Sequence, residues 1–189
     1  MKTNFIYLLL LLPFTLLAQK PCELSMDVKD SIGTYKSTKE SIVFERNFGG
    51  NSNYIFFSLV LTDGTPSLNL QTIQKSKDFM KANCFDKNSK LYIQLENGKI
   101  ITLLHINQDN CGTSIRDEKG INNRINTGIF LFMKDTFEEL KSTPISFIRI
   151  KYATETLDFV LRKELVSEMD NTTYYPDSFF ITNLPCILN

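Results

Sequence analysis

A mainly β fold, built from antiparallel hairpins into a sandwich or partly open barrel with one or two short helices, is what this 189-residue chain predicts. Three runs of alternating apolar and polar residues, each meeting a turn, carry that expectation. Helix signals are few, and no solenoid-type repeat or low-complexity tract is present.

The clearest hairpin begins with Leu91-Tyr92-Ile93-Gln94-Leu95-Glu96, meets Asn97-Gly98, and returns through Lys99-Ile100-Ile101-Thr102-Leu103-Leu104-His105. Asn-Gly between alternating runs is the strongest short hairpin signal. A two-residue loop sets Glu96 against Lys99, Leu95 against Ile100, Ile93 against Thr102 and Leu91 against Leu104, leaving one face nearly all apolar. A second hairpin runs from Phe56 to Thr62, turns at Asp63-Gly64 and returns through Pro66 to Leu70. Here Leu59 meets Leu68, Phe57 meets Leu70 and Ser58 meets Asn69. Pro66, without a backbone donor, suits an edge or a strand end. In a third, Ile148 to Tyr152 turns through Ala153–Thr156 into Leu157 to Leu161. Tyr152 then pairs with Leu157, Ile150 with Phe159 and Lys151 with Asp158.

Asp135 to Lys141 has capping-box spacing, an acceptor three residues before a glutamate, and Pro144 blocks its continuation. That short helix joins a strand around Ile129–Met133 to one beginning near Ile145. Pro176 to Leu184 predicts a closing helix, with proline in the first turn and Phe179, Phe180 and Leu184 on one face. The polar stretch Asn107–Asn126 is the longest expected loop and the default place for function.

Met1-Lys2 followed by an apolar run from Phe5 to Leu17 and a cut site at Leu17-Ala18-Gln19 form a secretory signal peptide, residues 1–18. The run is shorter than the ~20 residues that a membrane span needs. The mature chain, residues 19–189, has a length that suits one domain. It is expected as a secreted or periplasmic protein with no later span. Gln19-Lys20-Pro21 stand where a lipoprotein signal needs small residues, so Cys22 carries no lipid anchor. A near-neutral charge gives no reason to expect nucleic acid.

Four cysteines in an exported chain argue for disulfides, with three possible connectivities. Cys84–Cys111 and Cys22–Cys186 are favoured: the first brackets the Asn97-Gly98 hairpin and the second ties the chain ends.

Chemistry-bearing patterns are sparse. The single histidine, His105, falls opposite Lys90 in the hairpin register, and a neighbouring ammonium favours neutral imidazole. A His105–Cys111 dyad loses to a bridged cysteine, and no Gly-x-Ser-x-Gly elbow is present. Asp109, Asp117 and Glu118 are candidate acids for a two-carboxylate glycosidase-like site, but read first as solvated loop charges. Arg116, Lys119 and Arg124 add positive charge to the same loop, where an acidic group could be received. No calcium series, zinc spacing or phosphate loop is found, and Gly49-Gly50 reads as a turn. No cofactor or metal is expected. The chain lacks tryptophan, and Tyr174-Tyr175 reads as one half-exposed ring and one packed one, Tyr175 being the packed one. Asn171-Thr172-Thr173 matches a glycosylation acceptor. The leading expectation is an exported, non-catalytic module that binds a protein or glycan. An inhibitor or immunity-type protein against an exported enzyme ranks second, and a two-carboxylate hydrolase third.

Overall fold

Period-two alternation commits most of this chain to strands. The computed structural model describes residues 23–188. In them β1 (Leu24–Lys29), β2 (Thr34–Thr38), β3 (Ser41–Phe48), β4 (Asn51–Thr62), β5 (Thr65–Ser76), β6 (Lys90–Leu95), β7 (Ile100–His105), β8 (Thr113–Arg116) and β9 (Asn122–Phe132) precede α1 (Phe137–Ser142). Then come β10 (Ile145–Lys151), β11 (Thr156–Val160), β12 (Leu165–Val166), β13 (Thr173–Tyr174) and α2 (Phe179–Leu188). The expected signal segment, residues 1–18, and Cys22 lie outside the described residues, and so therefore does the expected Cys22–Cys186 pair.

The first eleven strands make one antiparallel sheet in the order β1-β2-β4-β5-β9-β7-β6-β10-β11, with β3 also on β4 and β8 also on β9. It coils around a core that joins Phe57 and Leu59 of β4, Leu68 and Leu70 of β5, Ile93 of β6, Leu103 of β7, Phe130 of β9 and Ile148 of β10. Phe179 and Phe180 of α2 close over Phe57, with ring centroids 5.5 and 6.2 Å away. The sheet does not close on itself, so the partly open form of the expected architecture is the one adopted.

Turn chemistry decides the registers. Asp63 and Gly64 both take left-handed angles, φ 48° and 78°, as a two-residue primed turn requires. The expected pairs Leu59–Leu68, Phe57–Leu70 and Ser58–Asn69 all form. Pro66 stands just before Ser67, where β5 begins to pair with β9, so its missing N–H leaves no gap in that ladder.

Asn97-Gly98 behaves differently, and the expected register is corrected by one residue. The Leu95 N–H donates to the Lys99 carbonyl and the Gly98 N–H to the Leu95 carbonyl, both at 2.9 Å. Only Gly98 is left-handed, at φ 83°; this is a three-residue loop with a glycine bulge. Leu91 therefore meets Leu103 and Ile93 meets Ile101. The slip turns Ile101, Leu103 and His105 into the core and Ile100, Thr102 and Leu104 outward. A register that buried Thr102 while exposing Leu103 would forfeit apolar burial.

The β10–β11 register also moves, by two residues, and so keeps its faces. Ile148 meets Phe159 and Ile150 meets Leu157. The Asp158 carboxylate is held not by Lys151 but by Arg149, Nε to Oδ1 at 2.6 Å and Nη2 to Oδ2 at 2.7 Å. A two-point fork between guanidinium and carboxylate outdoes a single lysine contact. Lys151 is left directly opposite Lys90 across β10 and β6, and like charges so placed repel. Lys151→Glu is expected to raise stability by about 0.5 kcal/mol, measured as a higher urea midpoint at low salt.

The helices form where expected but with other ends. The Thr136 hydroxyl donates to the Met133 carbonyl at 2.8 Å and caps no helix N–H, so the expected capping box is absent and α1 starts at Phe137. Thr143 is extended ahead of Pro144 and stops it. Pro176–Ser178 forms a 3-10 turn, and α2 then runs to Leu188 rather than ending at Leu184. Much of the expected loop Asn107–Asn126 is the β8–β9 hairpin. β8 is exposed at all four positions, so no apolar alternation marks it. The tyrosine assignment is reversed as well. Tyr174 packs against the small outer cluster of Ile42, Tyr54, Phe56 and Leu165, whereas Tyr175 is 53% exposed.

Candidate functional site

The two ends of the open sheet face one another. β3 pairs only with β4, and β11 only with β10. Phe44 and Phe159 touch across the gap, edge to face at 5.0 Å, but among the described residues no backbone hydrogen bond links the two strands. Each therefore presents a row of unpaired N–H and C=O groups. A bulge between Ile42 and Phe44 tucks Val43 into the core and bends β3, the usual effect of an extra residue in one strand.

Over this seam lies a cleft of about 420 Å³, with Glu45, Arg46 and Asn47 on one side and Val160, Arg162 and Glu168 on the other. A smaller space of about 230 Å³ continues between Arg46 and Asp158. The floor is polar. Glu45 is 9% exposed, and its Oε1 accepts the Glu168 N–H at 3.0 Å and the Asn47 side-chain amide at 2.8 Å. The same Asn47 nitrogen donates to Glu168 Oε2 at 3.0 Å, and the Tyr54 hydroxyl donates to Asn47 Oδ1 at 3.2 Å. Glu45 thereby latches the β12–β13 hairpin onto the outer side of β3 and β4. Within that hairpin Tyr174 donates to Asp170 at 2.7 Å. The bond holds the Asp170 carboxyl below its ordinary range, and burial with the Asp170 contact pushes Tyr174 up to about 12.

One oxygen of each carboxylate touches the same Asn47 nitrogen, so these oxygens of Glu45 and Glu168 lie within about 6 Å, a spacing near that of retaining glycosidase pairs. Yet Glu45 Oε1 is filled by two donors, and Oε2 is sealed from solvent without a partner. Glu45 thus has no oxygen that is both exposed and unbonded. Removing the latch leaves the partly buried Glu168 N–H without its partner, so Glu45→Ala is expected to lose about 1 kcal/mol. Glu45→Gln, which keeps the Oε1 acceptor, loses less; urea denaturation of the two variants checks the order.

The rim is basic. Neither Arg46 nor Arg162 has a carboxylate partner among the described residues. Arg46 lies over the Phe48 ring at 6.0 Å. Val160 is 70% exposed beside them. The arrangement suits an extended backbone lying edge-on, with side chains reaching the guanidinium groups.

The loop residues marked in the sequence, Asp109 apart, share one hairpin but no cleft, and none lines the seam. Asp117 shapes the β8–β9 turn: its Oδ1 accepts the Ile121 N–H at 2.9 Å and the Lys119 N–H at 3.0 Å. The Ile121 bond is the main cause of its lowered pKa. Glu118 and Lys119 are exposed at the tip, Arg116 lies beside Gly120, and Asp109 is exposed near the disulfide. Arg124 turns away from solvent to the carbonyls of Met80 at 3.4 Å and Cys111 at 3.5 Å. With Asn122 on Lys77 and Asp78, and Asn126 on Asn83, it pins the segment before β6. These are positioning roles for a loop.

Cys84 and Cys111 are joined, as expected. Beside them Phe85 and Asn110 exchange two backbone hydrogen bonds, at 2.7 and 3.0 Å. His105 stacks on Phe85 at 5.1 Å, and its Nδ1–H donates to the Asp86 carbonyl at 3.1 Å. Lys90 faces Leu104 instead, so the expected lysine neighbour is replaced by an aromatic one. Burial, opposed by the Asp86 contacts, lowers the His105 pKa. Because the folded value lies below the unfolded one, the contribution is complete above about pH 6.5 and is lost as pH falls through the folded value. Melting temperature is expected to drop over that acid range, with a flatter profile for His105→Phe. An unchanged profile in that variant would contradict the assignment.

Glu45, Arg46, Arg162 and Glu168 went unmarked in the sequence. Glu45, directly after the apolar run Ile42-Val43-Phe44, is a weak local signal, and nothing ties it to Glu168. No protein-family model, curated protein or solved structure matches the chain.

Proposed function

We propose that the protein is a non-catalytic binding module that takes an extended peptide segment into the seam between β3 and β11. The observation that carries this reading is a pair of facing strand edges, lining one cleft, with no backbone hydrogen bond between them. An added strand satisfies such groups directly, which is how sheet-edge recognition gains affinity, while alternate side chains supply specificity. A peptide suits these amide rows better than a glycan, which has no matching ladder of donors and acceptors. Export fits the amino-terminal signal pattern and the Cys84–Cys111 bridge, since disulfides persist in oxidising compartments. No helix of the described residues is long and apolar enough to cross a membrane.

Titration of the isotope-labelled mature chain with a capped octapeptide of alternating valine and serine tests the reading. Amide shifts are expected in β3, β11 and the hairpin that follows. Shifts confined to the β8–β9 hairpin, or none at millimolar peptide, contradict it.

A further inference from the structure

We infer that the core-side face of the sheet carries a second binding site, a pocket beside the seam that takes a single saccharide ring. Strand registers set Arg46 of β3 beside Asn53 of β4, and Asn53 beside Gln74 of β5. All three share the face of Ile55 and Phe57, opposite the Glu45–Asn47 latch. They line the space of about 230 Å³, whose apolar walls include Phe44, Leu157 and Phe159. One row deeper stands Thr72, bonded to the Tyr152 hydroxyl. Asn53 and Gln74 are half-buried amides that make no side-chain hydrogen bond among the described residues, and Arg46 has no ion pair there. Asp158 also borders the space, but its carboxylate is held in the Arg149 fork on the outer face. Recognition here runs through side chains. At Asn53 and Gln74 the ladders to β3, β5 and β9 are complete, so no strand can be added. Each carboxamide both donates and accepts, as a sugar hydroxyl does, and the guanidinium adds a fork of donors. Neighbouring strands stand about 4.8 Å apart, so the three groups reach different hydroxyls of one ring while its C–H faces rest on the apolar walls. The volume lies below the roughly 300–1,000 Å³ of drug-sized sites, which suits one ring rather than a chain.

Titration of the isotope-labelled protein with glucose, galactose, mannose, N-acetylglucosamine and glucuronate, each at tens of millimolar, tests the site, with acetate as the control anion. The readout is the side-chain NH2 signals of Asn53 and Gln74 and the backbone amides of β4 and β5. At least one of these sugars is expected to shift them saturably. In the double variant Asn53→Ala, Gln74→Ala, that sugar is expected to bind about tenfold more weakly, as the loss of two neutral hydrogen bonds predicts. Neither side chain is bonded within the fold, so the variant should melt like the wild type. No shift from any of these sugars, or affinity retained in the double variant, overturns the proposal. So does an acetate response equal to that of the sugars, which would mark an anion site at Arg46. Each of these results leaves the seam reading standing, because neither Asn53 nor Gln74 supplies a strand edge.

Discussion

Phe85→Ala is expected to cost about 3–5 kcal/mol, the range for removing a fully buried aromatic ring. Phe85 belongs to no strand, yet it is wholly buried. It stacks on His105 at 5.1 Å and Tyr152 at 4.9 Å and meets the edge of Phe130 at 5.5 Å. One ring thus joins the ends of β7, β9 and β10. Gly128 makes room for it, because a Cβ there would stand 3.0 Å from the Phe85 ring and 2.9 Å from Phe130. The surrounding backbone is held by sheet hydrogen bonds and the adjacent disulfide, so collapse into the cavity is limited. Urea denaturation should show the lower midpoint with little change in slope, and Phe85→Leu should restore part of the loss. A Phe85→Ala effect below about 1 kcal/mol would mean that the ring is not the keystone that its contacts describe.

Removal of the Cys84–Cys111 bridge is expected to cost nearly as much. The two cysteines are 27 positions apart, and closing a loop of that size in the unfolded chain corresponds to about 3–4 kcal/mol in the chain-entropy account. The bridge encloses the β6–β7 hairpin and sits beside the Phe85–Asn110 pair, so its loss also loosens the segment that places Phe85. The double variant Cys84→Ser, Cys111→Ser should melt about 10 °C below the wild type. The variant is preferable to reductant because Cys186 is not a free thiol either, and reduction would act beyond this one bridge. An unchanged melting temperature would contradict the account.

Two turns of similar composition explain how far the sequence alone reached. At Asp63-Gly64 both residues take left-handed angles, and the register follows from the dipeptide. At Asn97-Gly98 only the glycine does, and the loop gains a residue. That choice belongs to the core, which accepts Ile101 and Leu103 in preference to Thr102, and no local pattern announces it. The Asp63-Gly64 turn placed β4, both of whose faces are packed, and alternation placed β6 and β7 because each has one apolar face. It passed over β8, which has none. The β10–β11 faces were legible from alternation, while their exact pairing depended on the Arg149–Asp158 fork, a geometric preference invisible to spacing. The seam was out of reach for a deeper reason. Glu45 and Glu168 are 123 positions apart, and their meeting depends on the coil of the whole sheet. Only Glu45, directly after Ile42-Val43-Phe44, hinted that something polar would be buried there.

The open seam is the claim on which the functional proposal rests, and amide hydrogen exchange on the free protein tests it most directly. Alternate amides of β3 and β11, those turned toward the gap, are expected to exchange far faster than their neighbours bonded to β4 and β10. Uniform protection along both strands would mean a closed barrel with no edge to offer, and would contradict the account.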